Sequence, residues 1–385
     1  MEVVCIVNRE VYLDNSATTR PCDTAIARIT DCLRENWGNP SSLHIMGMNA
    51  ADSVNDARSA VAKLIHCRDD EIYFTSGGSE SNNTALIGAA KAREKRGRRI
   101  VTTAIEHPSV LETVKRLGEM GFETVFLKPD KNGRVSPEQI YDAVTADTVL
   151  VSIMLVNNET GAIQPVKAAA DAIKRANAPA LLHCDAVQAL GKLPINVGEL
   201  GVDMLSASGH KIHAPKGIGF LYLKKGVNIK PLITGGGQEK GLRSGTEAVP
   251  LICGLHGAIE ELPNIGSQLK KQQELRNYAA EKLVSTGLVK LNSDSECLPY
   301  VLNISVMGYR SEVLLHFLES YGIYVSSGSA CAKGEGSFVL KEMGLDSGTV
   351  DSALRISFSR FSTFEDVDRL VGAITDATVK IRKAK

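Results

Sequence analysis

The sequence Asp203-Met-Leu-Ser-Ala-Ser-Gly-His-Lys211 continues directly into Ile-His-Ala-Pro-Lys-Gly217. Its apolar run ends in small hydroxyl residues, and a His-Lys pair and a turn rich in proline and glycine follow. This pattern predicts a buried strand that runs into a tight loop. A lysine fixed in such a loop is partly desolvated, so its pKa falls and its amine can form a Schiff base with an aldehyde. An ordinary surface lysine after a strand is the alternative, and Lys211 alone does not decide between the two.

Strands of the same kind recur along the first two thirds of the chain. Apolar runs lie at 72–75, 100–105, 124–127, 149–156, 180–184, 203–206 and 219–224. Helix-compatible segments or short turns separate them, among them segments at 18–36 and 49–66 and a clear helix start at Ser136-Pro-Glu-Gln139. The alternation predicts right-handed crossovers. We therefore expect an α/β fold with a mostly parallel seven-stranded sheet flanked by helices.

The pattern changes near residue 250. Long helices are predicted at 248–261 and 265–286, followed by strands at 301–306, 323–326 and 354–358 and helices at 311–320, 337–343 and 364–382. A chain of 385 residues also exceeds one typical domain core. We expect a large domain over 16–257 and a smaller α+β domain formed by 1–15 and 258–385, which carries the loop around Cys331.

Composition excludes several classes of protein. Lys+Arg and Asp+Glu both total 44, so net charge gives no reason to expect contact with nucleic acid or a membrane. The longest apolar run, Val149 to Val156, has the length of a strand, and charges interrupt the first residues where a secretory signal would be apolar. Eight scattered cysteines without a CxxC pair indicate reduced thiols. We expect a cytoplasmic protein.

Three further stretches suggest a ligand site at one edge of the sheet. Phe74-Thr-Ser-Gly-Gly-Ser-Glu-Ser-Asn-Asn83 predicts a strand, a glycine turn and a helix start that binds an anion through backbone N–H groups, with Ser79 adding a hydroxyl. It matches neither of the glycine motifs typical of ATP and NAD sites. Asp185 and His107 each follow a strand, where open α/β sheets bind ligands. Asp185 can hold a proton on a ring nitrogen, and His107 can stack on a ligand or act in catalysis by transferring a proton, although a helix cap, a turn cap and a structural histidine are the plain alternatives.

Other motifs concern metals, phosphate and thiol chemistry. His210 and His213 have no third ligand at a useful spacing, so we expect no metal site. The glycine-rich stretch 235–246 is either a crossover between domains or a loop that contacts phosphate or a second subunit. Cys331 lies among small residues with a lysine close by, and a nearby cation favours the thiolate. A loop cysteine without a role is the alternative for Cys331.

Taken in order, these motifs resemble the class V, fold-type I pyridoxal-phosphate (PLP) enzymes, and specifically the cysteine desulfurases of the NifS/IscS kind. The resemblance covers nearly the whole chain. It also includes Tyr12-Leu-Asp-Asn-Ser-Ala-Thr-Thr19, Asn39-Pro-Ser-Ser with His44 and Gly47, Asn157-Asn-Glu-Thr-Gly161 with Gln164-Pro165, and Ser-Ser-Gly-Ser-Ala-Cys331. Ser79 stands where this family usually has threonine, and the hydroxyl is retained.

The resemblance implies a role for each candidate residue. Lys211 would bond covalently to PLP, His107 would stack on its ring, Asp185 would pair with the pyridine nitrogen and Gln188 with the phenolic oxygen. The phosphate would be held by Gly78, Ser79, Ser208 and His210, joined by Thr246 from the second subunit of a homodimer. Asn158 and Arg355 would bind the substrate carboxylate, and Cys331 would be the nucleophile.

The resemblance also implies the reaction. L-cysteine would become L-alanine while the Cys331 thiolate takes the sulfur as a persulfide for transfer to an acceptor protein, either an iron–sulfur scaffold, a tRNA-thiolation carrier or a thio-cofactor pathway. A selenocysteine lyase or another class V aminotransferase is the first alternative. An inactive scaffold of a sulfur-transfer complex is a second, and the presence of Lys211, Asp185 and Cys331 argues against it.

Overall fold

The computed structural model describes residues 9–327 and 336–383. The strands in these two segments are β1 Val11–Tyr12, β2 Ile72–Thr75, β3 Arg99–Thr103, β4 Glu123–Leu127, β5 Thr148–Ser152, β6 Leu181–Asp185, β7 Met204–Ser208, β8 Gly219–Leu223, β9 Val289–Leu291, β10 Val301–Val306, β11 Ile323–Tyr324 and β12 Ala353–Ser357. The helices are α1 Asp23–Glu35, α2 Ile45–Leu64, α3 Gly78–Arg93, α4 Pro108–Glu119, α5 Pro137–Ala143, α6 Val166–Arg175, α7 Val197–Leu200, α8 Val249–Glu260, α9 Ile265–Ser285, α10 Ser311–Ser320, α11 Phe338–Glu342, α12 Ser347–Asp351 and α13 Phe364–Lys380.

A seven-stranded sheet forms the centre of the first two thirds of the chain. Its order is β2-β8-β7-β6-β5-β3-β4. β8 pairs antiparallel with both of its neighbours, and the other pairings are parallel. The predicted α/β fold with a mostly parallel seven-stranded sheet is thus confirmed. The sequence pattern does not indicate that β8 runs in the opposite direction.

Both faces of the inner part of this sheet are buried, which explains why its inner strands are largely apolar, whereas the edge strand β4 is partly exposed. Leu150, Leu181 and Met204 belong to one buried cluster, whereas the next residues along the same strands, Val151, Leu182 and Leu205, belong to another. Successive side chains of a strand point to opposite faces, so each of these strands contributes side chains to two buried clusters. Helices therefore cover both sides of the sheet.

The last third of the chain forms a three-stranded antiparallel sheet of order β12-β10-β9. A separate buried cluster lies against it, and Val11 and Leu13 from the start of the chain join that cluster. Strand β1 also pairs with β11. The N-terminal segment is thus packed with the C-terminal third, while the exact domain boundaries at 15/16 and 257/258 stay a prediction.

Several element ends differ from the sequence-based expectation for local reasons. α1 begins at Asp23 rather than near residue 18, because the preceding segment is occupied by contacts with the Lys211 loop: Thr19 donates to the carbonyl of His210 through both its backbone N–H, at 3.0 Å, and its hydroxyl, at 2.9 Å. α2 begins earlier than expected, with His44 as its cap. The capping box at Ser136 and Gln139 is present as predicted.

No helix in the described parts of the chain combines the length and the apolar character needed to cross a membrane. Within the same residues, no group of three or more His, Cys, Asp or Glu side chains is placed to hold a metal ion.

Candidate active site

A cavity of about 440 Å³ lies at the carboxyl ends of the central strands, a typical place and size for a small-molecule site. The predicted site residues that line it are Gly78, Ser79, His107, Asn158, Asp185, Gln188, Ser208, His210, Lys211 and Arg355. Thr246 is exposed and is not among the described residues that line it. Cys331 lies outside the described residues.

Lys211 ends a short 3-10 turn, Gly209–Lys211, that follows β7 directly. Its Nζ donates to the backbone carbonyls of Ser16, at 2.5 Å, and Ala17, at 2.7 Å. Burial and, to a smaller extent, the charge of Arg355 lower the pKa of Lys211 to about 8, although Asp14 and Asp185 oppose the shift. A substantial fraction of the amine is therefore neutral near physiological pH, which is the nucleophilic form.

This pKa predicts how fast the cofactor-free chain reacts with an aldehyde. Because the neutral fraction of an amine with a pKa near 8 rises about tenfold between pH 7 and pH 9, the second-order rate of PLP attachment is expected to rise about tenfold and then level off. Stopped-flow absorbance after mixing with PLP measures this rate. A rate that still climbs steeply above pH 9.5 would show instead that Lys211 titrates like an exposed lysine.

Asp185 ends β6 and is held by two donors. Its Oδ2 accepts from Nδ2 of Asn82 at 2.8 Å, and its Oδ1 accepts from the backbone N–H of Val187 at 3.0 Å. These two hydrogen bonds fix the direction of the carboxylate. Asn82 lies in the stretch 74–83 and has no role predicted from the sequence. Its position one helical turn after Gly78 and Ser79 was the available signal.

The start of α3, where the glycine turn predicts an anion site, lies at the cavity. Gly77 caps this helix without a side-chain hydrogen bond, so within the described residues no side chain caps the first N–H groups of α3. Gly78 approaches its neighbours closely, and a Cβ atom there would lie 2.7 Å from Cγ2 of Val187. The opening of a 16-residue helix therefore faces the cavity with free donors and a favourable dipole.

His107 is the cap of α4 and lies beside the same cavity. Its Nδ1 accepts from the backbone N–H of Ser109 at 3.1 Å, which fixes the orientation of the ring. Desolvation lowers the pKa of His107, as does the charge of Lys211 to a smaller extent, whereas Asp185 raises it. The ring is thus favoured in its neutral form, which suits stacking on an aromatic ligand.

Arg355 reaches the cavity from the C-terminal third of the chain. On β12 it is buried, with Nη2 donating to Oδ1 of Asp14 at 2.8 Å and Nη1 donating to the backbone carbonyl of Asn158 at 3.1 Å. Its Nε is buried without a partner in the described residues. Asp14 lies in the motif at 12–19 but has no role predicted from the sequence, because no local pattern links two residues that are 341 positions apart.

Comparison with known proteins identifies the family of this chain. The model of the aminotransferase class-V family matches residues 11–370. The chain belongs to that family. It is 40% identical over 385 residues to a protein named cysteine desulfurase IscS from Methanosarcina thermophila, covering 99% of this chain and 95% of that protein.

Solved structures of class-V relatives share the architecture. A structure titled NifS-like protein superposes with a TM-score of 0.92 at 41% identity, covering 97% of this chain and all of that one. A second, titled SspA in complex with cysteine, has a TM-score of 0.81 at 33% identity and covers 91% of this chain and 99% of that one. The chain thus has the fold-type I architecture of PLP enzymes.

The residues present fit PLP, the cofactor of this family. PLP carries an aldehyde, a ring nitrogen, a phenolic oxygen and a phosphate, and the cavity offers a partner of matching chemistry for each. The amine of Lys211 matches the aldehyde, the carboxylate of Asp185 the ring nitrogen, the amide of Gln188 the phenolic oxygen, and the start of α3 the phosphate. Buried polar atoms without a partner in the described residues, Oγ of Ser16 and Oδ1 of Asn82, also belong to residues that line the cavity.

Proposed function

We propose that this chain is a PLP-dependent cysteine desulfurase that converts L-cysteine to L-alanine and holds the released sulfur as a persulfide on Cys331. The observation that carries the proposal is one cavity that combines the amine of Lys211, whose pKa is lowered to about 8, with the carboxylate of Asp185 and the guanidinium of Arg355. The relatives named cysteine desulfurase and the structure bound to cysteine support it.

When bound, PLP supplies an electron sink for the bonds around the substrate α-carbon. Lys211 would hold the aldehyde carbon of PLP. Asp185 would keep a proton on the ring nitrogen of PLP. The hydrogen bonds from Asn82 and Val187 hold the Asp185 carboxylate in place for that task. Gly78, Ser79, Ser208 and His210 would hold the phosphate, and His107 would stack on the ring.

The substrate would be oriented by its carboxylate. Arg355 is a buried guanidinium at the cavity wall, and its fixed donors suit a carboxylate better than a flexible lysine would. Asn158, beside it, also lines the cavity and would share this contact. With the carboxylate held there, Lys211 as a free amine is placed to move the proton of the α-carbon.

Cys331 would then act on the substrate sulfur. Its thiolate attacks that sulfur, the S–S bond forms, and the bond between the sulfur and the β-carbon breaks. The β-carbon gains a proton and the product leaves as alanine, so the enzyme retains one additional sulfur atom as a persulfide. An acceptor protein, such as an iron–sulfur scaffold or a tRNA-thiolation carrier, would receive this sulfur.

The proposal includes a cytoplasmic homodimer in which Thr246 of one subunit reaches the phosphate of the other. Large apolar side chains are exposed on and before α2, among them Leu43 at 97% and Ile45 at 66%, as is Trp37 at 65%. The glycine-rich loop 235–246 is also largely exposed. An exposed apolar surface of this kind is typical of a contact between subunits.

The test is alanine formation from L-cysteine together with the intact mass of the protein. The wild-type protein is expected to form alanine and to gain one sulfur atom. Cys331→Ser is expected to lose the added sulfur and to form alanine at least about 10²-fold more slowly, because it lacks the nucleophile. Cys67→Ser, at a half-buried thiol elsewhere in the chain, is the matched control and is expected to behave as wild type.

Two results would contradict this proposal. Alanine formation at the wild-type rate by Cys331→Ser would remove Cys331 from the reaction. A keto acid product in place of alanine would identify the chain as an aminotransferase. A selenocysteine lyase is distinguished from a desulfurase by comparing kcat/KM for selenocysteine with kcat/KM for cysteine.

A further inference from the structure

Lys192 is a buried lysine with no part in the reaction described above. It lies in the turn that follows β6, and only 6% of the residue is exposed. Its Nζ donates to Oε1 of Gln188 at 3.2 Å and lies 5.6 Å from the centroid of the Tyr300 ring. Lysine is rarely buried unless a partner holds it, so this position calls for an explanation.

An ion pair does not explain it. No ion pair joins Lys192 to a carboxylate within residues 9–327 and 336–383, and burial lowers the pKa of Lys192 to about 7, with the charges of Lys211 and Arg355 adding to the shift. The titratable and charged groups around it are Lys211, Arg355, Arg360, His210, His213 and Tyr300. Apart from the ring of Tyr300, these groups do not favour an ammonium ion, so the hydrogen bond to Gln188 is the polar contact that holds Nζ within the described residues.

Two contacts, one at each end, together fix which way the Gln188 amide points. Its Nε2 donates to the carbonyl of Ser16 at 3.0 Å, and that same carbonyl accepts from Nζ of Lys211. A backbone carbonyl can only accept, so Nε2 must face Ser16, and Lys192 holds Oε1 on the opposite side. Nε2 carries a second N–H, and Gln188 lines the large cavity. The amide therefore offers the cavity a donor rather than an acceptor.

We propose that Lys192 is a positioning residue that locks the Gln188 amide with its N–H toward the cavity, so that Gln188 donates to the phenolic oxygen of bound PLP. This inference rests on the proposed function. A hydrogen bond donated to that oxygen stabilises its anionic form, and loss of the bond makes the oxygen more basic. Lys192 thus sets the proton affinity of the cofactor without touching it.

The test is a pH titration of the absorbance of bound PLP in the purified holoprotein without substrate. Lys192→Met keeps nearly the length of the side chain and removes the donor to Oε1, so the amide is no longer held at that end. The midpoint of the titration is expected to rise by about one pH unit. Gln188→Leu is expected to give the same shift, and the double variant to give no more than either single one.

Controls separate positioning from a structural role. Lys174→Met, at an exposed lysine of α6, is expected to leave the midpoint unchanged. Lys192→Gln keeps a donor and is expected to lie closer to wild type than Lys192→Met. Thermal unfolding of the cofactor-free variants is measured in parallel, and Lys192→Leu replaces Lys192→Met if the latter does not fold.

An unshifted midpoint in Lys192→Met, with or without a change in Tm, would overturn the inference. A shift that adds to that of Gln188→Leu would overturn it as well, because Lys192 would then act by another route. Both results leave the proposed function intact. A wild-type protein that shows no PLP absorbance when supplied with PLP would instead overturn the proposed function itself.

Discussion

Lys211→Ala is expected to lower the rate of alanine formation from L-cysteine by at least about 10³-fold. The substitution removes the only described lysine whose Nζ is held by the carbonyls of Ser16 and Ala17 at the cavity wall. It takes away both the covalent partner of PLP and the group that moves the α-proton. Alanine is measured at saturating cysteine, and PLP attachment by mass after borohydride reduction.

Peptide mapping makes this experiment specific. In the wild type, reduced PLP is expected on the peptide that contains Lys211. Lys192 is the informative competitor, since it is also buried and its pKa is also lowered, to about 7. PLP fixed to Lys192, or Lys211→Ala activity within tenfold of wild type, would refute the assignment. Lys174→Ala is the surface control and is expected to change neither readout.

Asp185→Asn is expected to lower kcat by about 10³-fold while PLP remains bound. Asparagine has nearly the same shape, but it carries no charge to keep a proton on the ring nitrogen, so the cofactor withdraws electrons less strongly. The NH2 group of the new amide would also face the donor of either Asn82 or Val187 with a donor of its own. Steady-state kinetics and the PLP absorbance of the same preparation measure the two effects separately.

A matched control exists at the other end of the neighbouring strand. Asp203 precedes β7, and its Oδ2 accepts from the backbone N–H of Leu182 at 3.0 Å, remote from the cavity lining. Asp203→Asn is therefore expected to affect stability more than kcat. If Asp185→Asn and Asp203→Asn lowered kcat by similar factors, Asp185 would be a structural carboxylate and its assignment would fail.

The parts of the fold that the sequence predicts well are those encoded locally. Each inner strand of the large sheet is a short, largely apolar run, because both of its faces are buried, and turn residues mark its ends. The direction of β8 is not encoded locally, since it depends on how the loop after Lys211 folds back. Strand β9 has too short a pattern to be distinguished by periodicity.

The site was predictable wherever a residue ends a strand or opens a helix. Lys211, Asp185, His107 and Gly78 have such positions, and the structure brings them to one cavity. Asp14 and Asn82 were missed as partners, because a hydrogen bond between residues far apart in sequence leaves no local pattern. Lys192 illustrates the same limit. A lysine in a predicted turn is expected to be exposed, and only the tertiary packing shows that it is buried.

The antiparallel direction of β8 has a consequence for the state of Lys211 before any ligand arrives. Because Ser208 pairs with Gly219, the loop that contains Lys211 is closed at its base by the sheet itself. The backbone N–H of Gly209 donates to Ile218 at 3.0 Å, and that of Ala214 to Gly209 at 3.1 Å, so the loop is also tied internally. The entropy of ordering the lysine is thus lost once, when the chain folds, and not again with each binding event. The nucleophile is preorganised by sheet topology rather than by its ligand.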